Sequence, residues 1–208
     1  MASDYTIDGI FPVPVYSTHR DSGVDSTEKK EIENIIKGGR RIGQTTSINN
    51  YVFDTKLKKI KEFCERHIKM YVEEIINPKE GLADFYITQS WLNITKPGEF
   101  AYPHFHDNSI ISGVFYVSTI ENDNILFSDP FYKMEGLKLN NRTVCRFGVK
   151  DYQLIIFPSW LLHGVELNES AKGDRISIAF NTFVKGNVGE RDNNTELFLR
   201  PNSYSLLT

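Results

Sequence analysis

The chain has 208 residues, 40% of them hydrophobic and 25% charged, with a formal net charge of −3 at pH 7 and a pI near 6.0. This composition excludes disordered, collagen-like and membrane-spanning classes, and the slight acidity argues against a general polyanion binder. Cys64 and Cys145 stand far apart and the histidines number five, which excludes zinc fingers and disulfide scaffolds; a chain of this length needs no metal for stability, so any metal is there for chemistry.

No apolar run approaches the ~18 residues of a membrane span. Met1-Ala2-Ser3-Asp4-Tyr5 is not the basic start of a secretory signal, so the expectation is a cytoplasmic protein with no membrane association. Residues 29–79 hold 12 Lys and Arg against 7 Asp and Glu. These basic residues interleave with acidic ones on the polar sides of helices, the pattern of a solvated face rather than of a nucleic-acid surface.

In chain order, His19 falls in an N-terminal loop. Residues 26–37 read as a short helix opened by Ser26 or Thr27 and closed by Gly38-Gly39, with Arg40-Arg41 as a solvated helix end. Residues 55–76 carry Leu57, Ile60, Phe63, Cys64, His67, Ile68, Tyr71, Val72, Ile75 and Ile76 as one apolar stripe of period 3.6. That predicts an amphipathic helix capped by Asp54 and stopped by Asn77-Pro78, with His67 as a packed core histidine.

Beyond Pro78 the chain turns to short β-rich runs at 85–95, 110–119, 124–127, 143–149, 153–157 and 175–184, several alternating with period two. Closely spaced strands without intervening helices predict a sandwich or barrel, not a parallel α/β sheet. A single domain over 1–208 is expected: a helical front end (1–80) packing on the barrel, a β core (81–190) and a C-terminal tail (191–208).

The chemistry concentrates in three places. In an extended chain His104 and His106 share a face and offer two imidazoles to one point, while Asp107 faces away unless a bulge re-aims it. His163 follows an apolar strand and the turn Phe157-Pro158-Ser159. A histidine pair and a distant third, with no cysteine, suit an open non-haem Fe(II) site better than structural zinc. Arg175, Ser177 and Ala179 then share one face of a strand; if it looks inward, the buried guanidinium needs an anion, and its fork of donors fits a carboxylate.

His104-x-His106, Phe157-Pro158-Ser159 leading to His163, and Arg175-x-Ser177, in that order, resemble the 2-oxoglutarate and Fe(II)-dependent oxygenases. The likeness is closest to a prolyl-hydroxylase-like branch of marine bacteria and phages, and runs from about Phe11 to Gly189. It implies a mainly β fold, the double-stranded β-helix or jelly roll (a cupin-like barrel) with N-terminal supporting helices, located in the host cytoplasm if phage-encoded. It implies Fe(II), O2 and the co-substrate 2-oxoglutarate, with hydroxylation of a substrate and release of succinate and CO2. His104 and His163 match two metal ligands and Arg175 the co-substrate anchor, aided by Ser177; Asn93 and Tyr102 are further co-substrate contacts, and Trp91, Ser112 and Tyr116 border the site.

His106 departs from the resemblance, standing where most of the family has a carboxylate. Three readings stay open: His106 as third ligand, which strand alternation favours; Asp107 in its place; or water. Three neutral imidazoles leave the ion its full +2 charge, predicting weaker and more pH-dependent metal binding. Two other functions compete: a cupin-type metal-binding barrel, an isomerase or small-molecule module, without oxygenase activity; and a virion or structural protein keeping only the fold. The primary substrate, peptidyl or small-molecule, is not readable. Residues 132–146 are a lid or a solvated loop, and strand edges with the tail allow a homodimer.

Overall fold

A computed structural model describes residues 12–78, 83–129, 144–167 and 172–200. Helix α1 (Ser26–Lys37) has the expected bounds, but its cap is Asp25 rather than Ser26 or Thr27: Asp25 accepts the Glu28 amide while the Glu28 carboxylate accepts the Asp25 amide, a complete capping box. Glu28 is buried. It also binds Arg20 at 2.9 Å, and its other oxygen accepts the backbone N–H of Ile60 at 2.8 Å.

That last bond explains why Asp54 is not the cap expected for the next helix. Helix α2 (Lys58–Tyr71) has Leu57 at its N-cap, with no side-chain bond, and its first turn is served instead by Glu28 from α1. Asp54 lies in a 3₁₀ turn, Val52–Asp54, and pairs with Lys61. The stripe does continue to residue 76, through a wide π turn (Val72–Ile76) that stops at Asn77, whose φ of 46° is left-handed. His67 packs against Phe63 and bonds Tyr16 Oη at 2.7 Å, as a packed histidine should.

Among the described residues ten strands follow in chain order: β1 (Tyr16–His19), β2 (Ala83–Thr95), β3 (Ala101–His104), β4 (Ile111–Ser118), β5 (Asn124–Ser128), β6 (Val144–Gly148), β7 (Gln153–Pro158), β8 (Leu162–Val165), β9 (Arg175–Val188) and β10 (Leu197–Leu199). The larger sheet runs β1-β7-β4-β9-β10, with β2 also on β9; the smaller runs β3-β8-β5-β6, and every pairing is antiparallel. This is the expected double-stranded β-helix, mainly β with helices at its N-terminal end.

Alternation along the larger sheet divides its two faces. Leu92, Ile94, Phe115, Leu154, Ile156, Ile178 and Phe180 pack outward against Ile60, Phe63 and Ile68 of α2. Tyr116, Ile155 and Phe157 point the other way, against Ile125, Phe127 and Leu161. On that inner side lie Trp91, Asn93, Arg175, Ser177 and Ala179, so the face expected to carry Arg175 does look inward.

The short strands β1, β3, β8 and β10 were not legible as strands. His19 belongs to β1 rather than to a loop, and bonds Asp21 and the Asp151 carbonyl. Part of the C-terminal tail is committed to β10 on β9. Residues 130–143, most of the expected lid, lie outside the described residues; 144–146 open β6.

Candidate functional site

His104 ends β3 and faces His163 of β8 directly across the ladder. His106 sits in the irregular stretch just beyond β3, where its backbone N–H donates to Ser159 O at 3.0 Å. One ligand atom from each of the three lies within 4.8 Å of the others. Asp107 is exposed in the following turn and is not part of the group. His106, not Asp107, thus stands with His104 and His163, and it is irregular chain beyond β3 rather than a continuing strand that brings it there.

Each ring uses Nδ1 elsewhere. His104 Nδ1 donates to Tyr102 O and His163 Nδ1 to Leu161 O, both at 2.8 Å, and His106 Nδ1 bonds Asn181 Oδ1. These oxygens can only accept, so the Nδ1 atoms carry the protons and the three Nε2 lone pairs are bare. Burial reinforces this: it pushes His163 down to about 3, opposed by the Leu161 bond, and lowers His106 as well. Neutral imidazoles with converging lone pairs, each held through its other nitrogen, are the donor set that a divalent transition metal takes. The residues fit the metal that the resemblance implies.

The triad opens on a cavity of about 1160 Å³. Trp91 lies 5.6 Å from the His106 ring, and Asn93 is half-buried, its amide donating to Ser177 Oγ at 3.5 Å. Tyr102 is at the mouth, 76% exposed, edge-on to Phe100. Arg40 lines the cavity and is no free helix end: it pairs with Glu99 and donates to Ile94 O.

Arg175 and Ser177, both buried, line the same cavity. Its Nε lies 3.1 Å from Asp123 Oδ2, its Nη2 donates to Tyr116 Oη at 3.2 Å, and its guanidinium carbon sits 5.1 Å from the Tyr116 ring centre. The buried arginine thus already has an anion, which sequence reasoning missed: Asn122-Asp123-Asn124 looks like an ordinary turn. Burial raises the Asp123 carboxyl against the pull of Arg175, and pushes the Tyr116 phenol up to about 12, so Tyr116 keeps its proton at neutral pH. Asp123 lines a second cavity of about 200 Å³, which shares Arg175 with the larger one.

Residues 89–181 match the family model described as "Putative 2OG-Fe(II) oxygenase". That span contains the triad, Arg175, Ser177 and Asn181. Over this stretch, which is short of half the chain, the sequence is similar to the 2OG-Fe(II) oxygenases. No curated protein matches the sequence.

Solved structures share the oxygenase fold at low identity. A prolyl hydroxylase from Trichoplax adhaerens, in complex with a peptide fragment of a hypoxia inducible factor oxygen degradation domain, is 13% identical with a TM-score of 0.56, covering 81% of this chain and 83% of its own. HygX from Streptomyces hygroscopicus, bound to nickel, 2-oxoglutarate and hygromycin B, is 11% identical with a TM-score of 0.55, covering 82% of each chain. SnoK, a non-heme alpha ketoglutarate dependent carbocyclase of nogalamycin biosynthesis, is 11% identical with a TM-score of 0.59, covering 88% and 85%. The family match favours an oxygenase over the cupin-type and structural alternatives. The cofactors of the family are Fe(II), 2-oxoglutarate and O2, and among the described residues no helix is long and apolar enough to cross a membrane.

Proposed function

We propose that this protein is a 2-oxoglutarate-dependent hydroxylase in which His104, His106 and His163 hold Fe(II) through Nε2, and Arg175 with Ser177 receives the distal carboxylate of 2-oxoglutarate. The observation that carries this reading is the pairing of three bare Nε2 atoms with a buried guanidinium in one cavity. When bound, Fe(II) with 2-oxoglutarate and O2 supplies an oxidant that converts a substrate C–H to C–OH, with succinate and CO2 as co-products.

The protein's share is position and exclusion of water. Asp123 and Tyr116 hold the guanidinium in place, Asn93 and Ser177 offer polar contacts beside it, and Phe157 and Ile125 close the inner wall. The cavity far exceeds what a five-carbon diacid occupies, which leaves space for part of a primary substrate, peptidyl or small-molecule, passing Tyr102 and Phe100 at the mouth.

Anaerobic addition of Fe(II) and 2-oxoglutarate should produce the weak visible charge-transfer band of the chelate, and oxygen should then release succinate. A protein giving neither band nor succinate is not this enzyme. Arg175→Ala should weaken 2-oxoglutarate binding at least tenfold while iron still binds; loss of iron instead would mean that Arg175 has another role.

A further inference from the structure

The three imidazoles are not supported alike. His104 and His163 each donate Nδ1–H to a backbone carbonyl two residues earlier, so their own strands hold them. His106 has no such local partner among its hydrogen bonds: its Nδ1 reaches Asn181 Oδ1 on β9, 75 positions away. Ser112 on β4 stands directly across the ladder from Asn181, with its hydroxyl 2.9 Å from Asn181 Oδ1 and 3.1 Å from His106 Nδ1. Behind it the hydroxyl of Ser159 lies at 2.8 Å. Asn181, Ser112 and Ser159 are 9%, 1% and 0% exposed, so water does not replace these contacts.

We propose that Asn181 is a positioning residue for the metal: by accepting Nδ1–H from His106 it selects the tautomer with a bare Nε2 and aims that atom at the point shared with His104 and His163. The proposal rests on the reading of the triad as a metal centre. A neutral imidazole has two tautomers, and the one protonated at Nε2 cannot ligate through that nitrogen. In irregular chain beyond the strand, the backbone does not choose between them; a fixed acceptor does, and an amide oxygen held by the β4·β9 register is one. Ser112 acts through Asn181, filling the space beside its oxygen.

The test compares wild type, Asn181→Leu and Asn181→Asp by two readouts that need no turnover. One is the affinity for Co(II) or Zn(II) by calorimetry. The other is the tautomer of the His106 ring in metal-free protein, read from its nitrogen chemical shifts. Asn181→Leu should weaken metal binding about 10- to 100-fold, the usual effect of losing such an outer hydrogen bond, and should give His106 a mixture of tautomers. Asn181→Asp keeps an acceptor and makes the ring a stronger donor, so it should bind metal at least as tightly as wild type.

Wild-type affinity in Asn181→Leu, or a His106 already protonated at Nε2 in wild type, would overturn the proposal, as would an Asn181→Asp protein as weak as Asn181→Leu. Unfolding of Asn181→Leu is checked by its thermal midpoint, and Ser112→Ala, a milder change, should loosen metal binding in the same direction. If wild type takes up no metal, the metal reading itself fails, and the tautomer measured in metal-free protein still decides for or against Asn181.

Discussion

His163 is the deepest of the three imidazoles, and its burial holds it to about 3 where a free histidine titrates near 6.5. Below about pH 6.5 the unfolded chain takes up a proton that folded His163 refuses. Its contribution to stability is therefore complete above that pH and is lost progressively as pH falls toward 3. The thermal midpoint of the metal-free protein should fall between pH 7 and pH 5, and more shallowly in His163→Gln; parallel slopes in the two proteins would contradict the assignment. Asp123 and Arg175 make a second residue-scale case, since both side chains of the pair are almost fully buried. Asp123→Ala strands the guanidinium and should cost about 3–5 kcal/mol in urea unfolding, as broken buried pairs do. The double variant Asp123→Ala/Arg175→Leu should recover part of that loss, because removing both charges leaves nothing stranded.

Two glycines decide how closely elements approach around the cavity. At Gly113 in β4 a Cβ would sit 2.2 Å from Phe180 Cζ, so only glycine lets that ring cover the sheet. At Gly164 in β8 a Cβ would meet Ala101 O at 2.9 Å and Pro103 N at 3.2 Å, and these are backbone atoms of β3 that cannot swing aside. The contact lies beside the His104–His163 pair. Gly164→Ala should push β3 from β8 and draw the two imidazoles apart, reducing Co(II) affinity about tenfold or more, in line with the sensitivity of metal sites to their supporting shell. A variant with unchanged affinity would show that the two strands can separate without disturbing the ligands. The expectation of a histidine pair on one strand is sharpened here. β3 holds His104 alone, and the irregular chain beyond it carries His106 to the same group.

On the scale of the whole molecule, the barrel has one working face and one supported face. The helices cover the outside of the larger sheet, and Glu28 ties them together by joining Arg20, the start of α1 and the first turn of α2. Glu28→Ala leaves Arg20 buried without its partner and should cost about 3–5 kcal/mol by urea unfolding. Metal affinity in the folded variant should be unchanged, because the triad lies on the opposite side of the sheet; a parallel loss of affinity would mean that the helical end shapes the site. The charge of the site is also set at this scale. Three neutral imidazoles would leave a divalent ion its full charge, while Asp123 offsets the charge of Arg175 in the same cavity wall.

Much was legible locally. Helix α1 over 26–37, the long apolar stripe, the principal strands and the order of His104, His106, His163 and Arg175 follow from periodicity and spacing, because a helix or a half-buried strand writes its own period into consecutive residues. The short strands escaped because three or four residues carry too little period, and the helix caps because Glu28 serves two helices at once. What tertiary structure alone decided are the partners: Asp123 for Arg175, Asn181 for His106, and His163 opposite His104. Hydrogen bonds and ion pairs between residues 50 or 75 positions apart depend on strand register. Register is a property of the folded sheets, in which a shift of one residue would turn the strand residues among them, His104, His163, Arg175 and Asn181, to the other face.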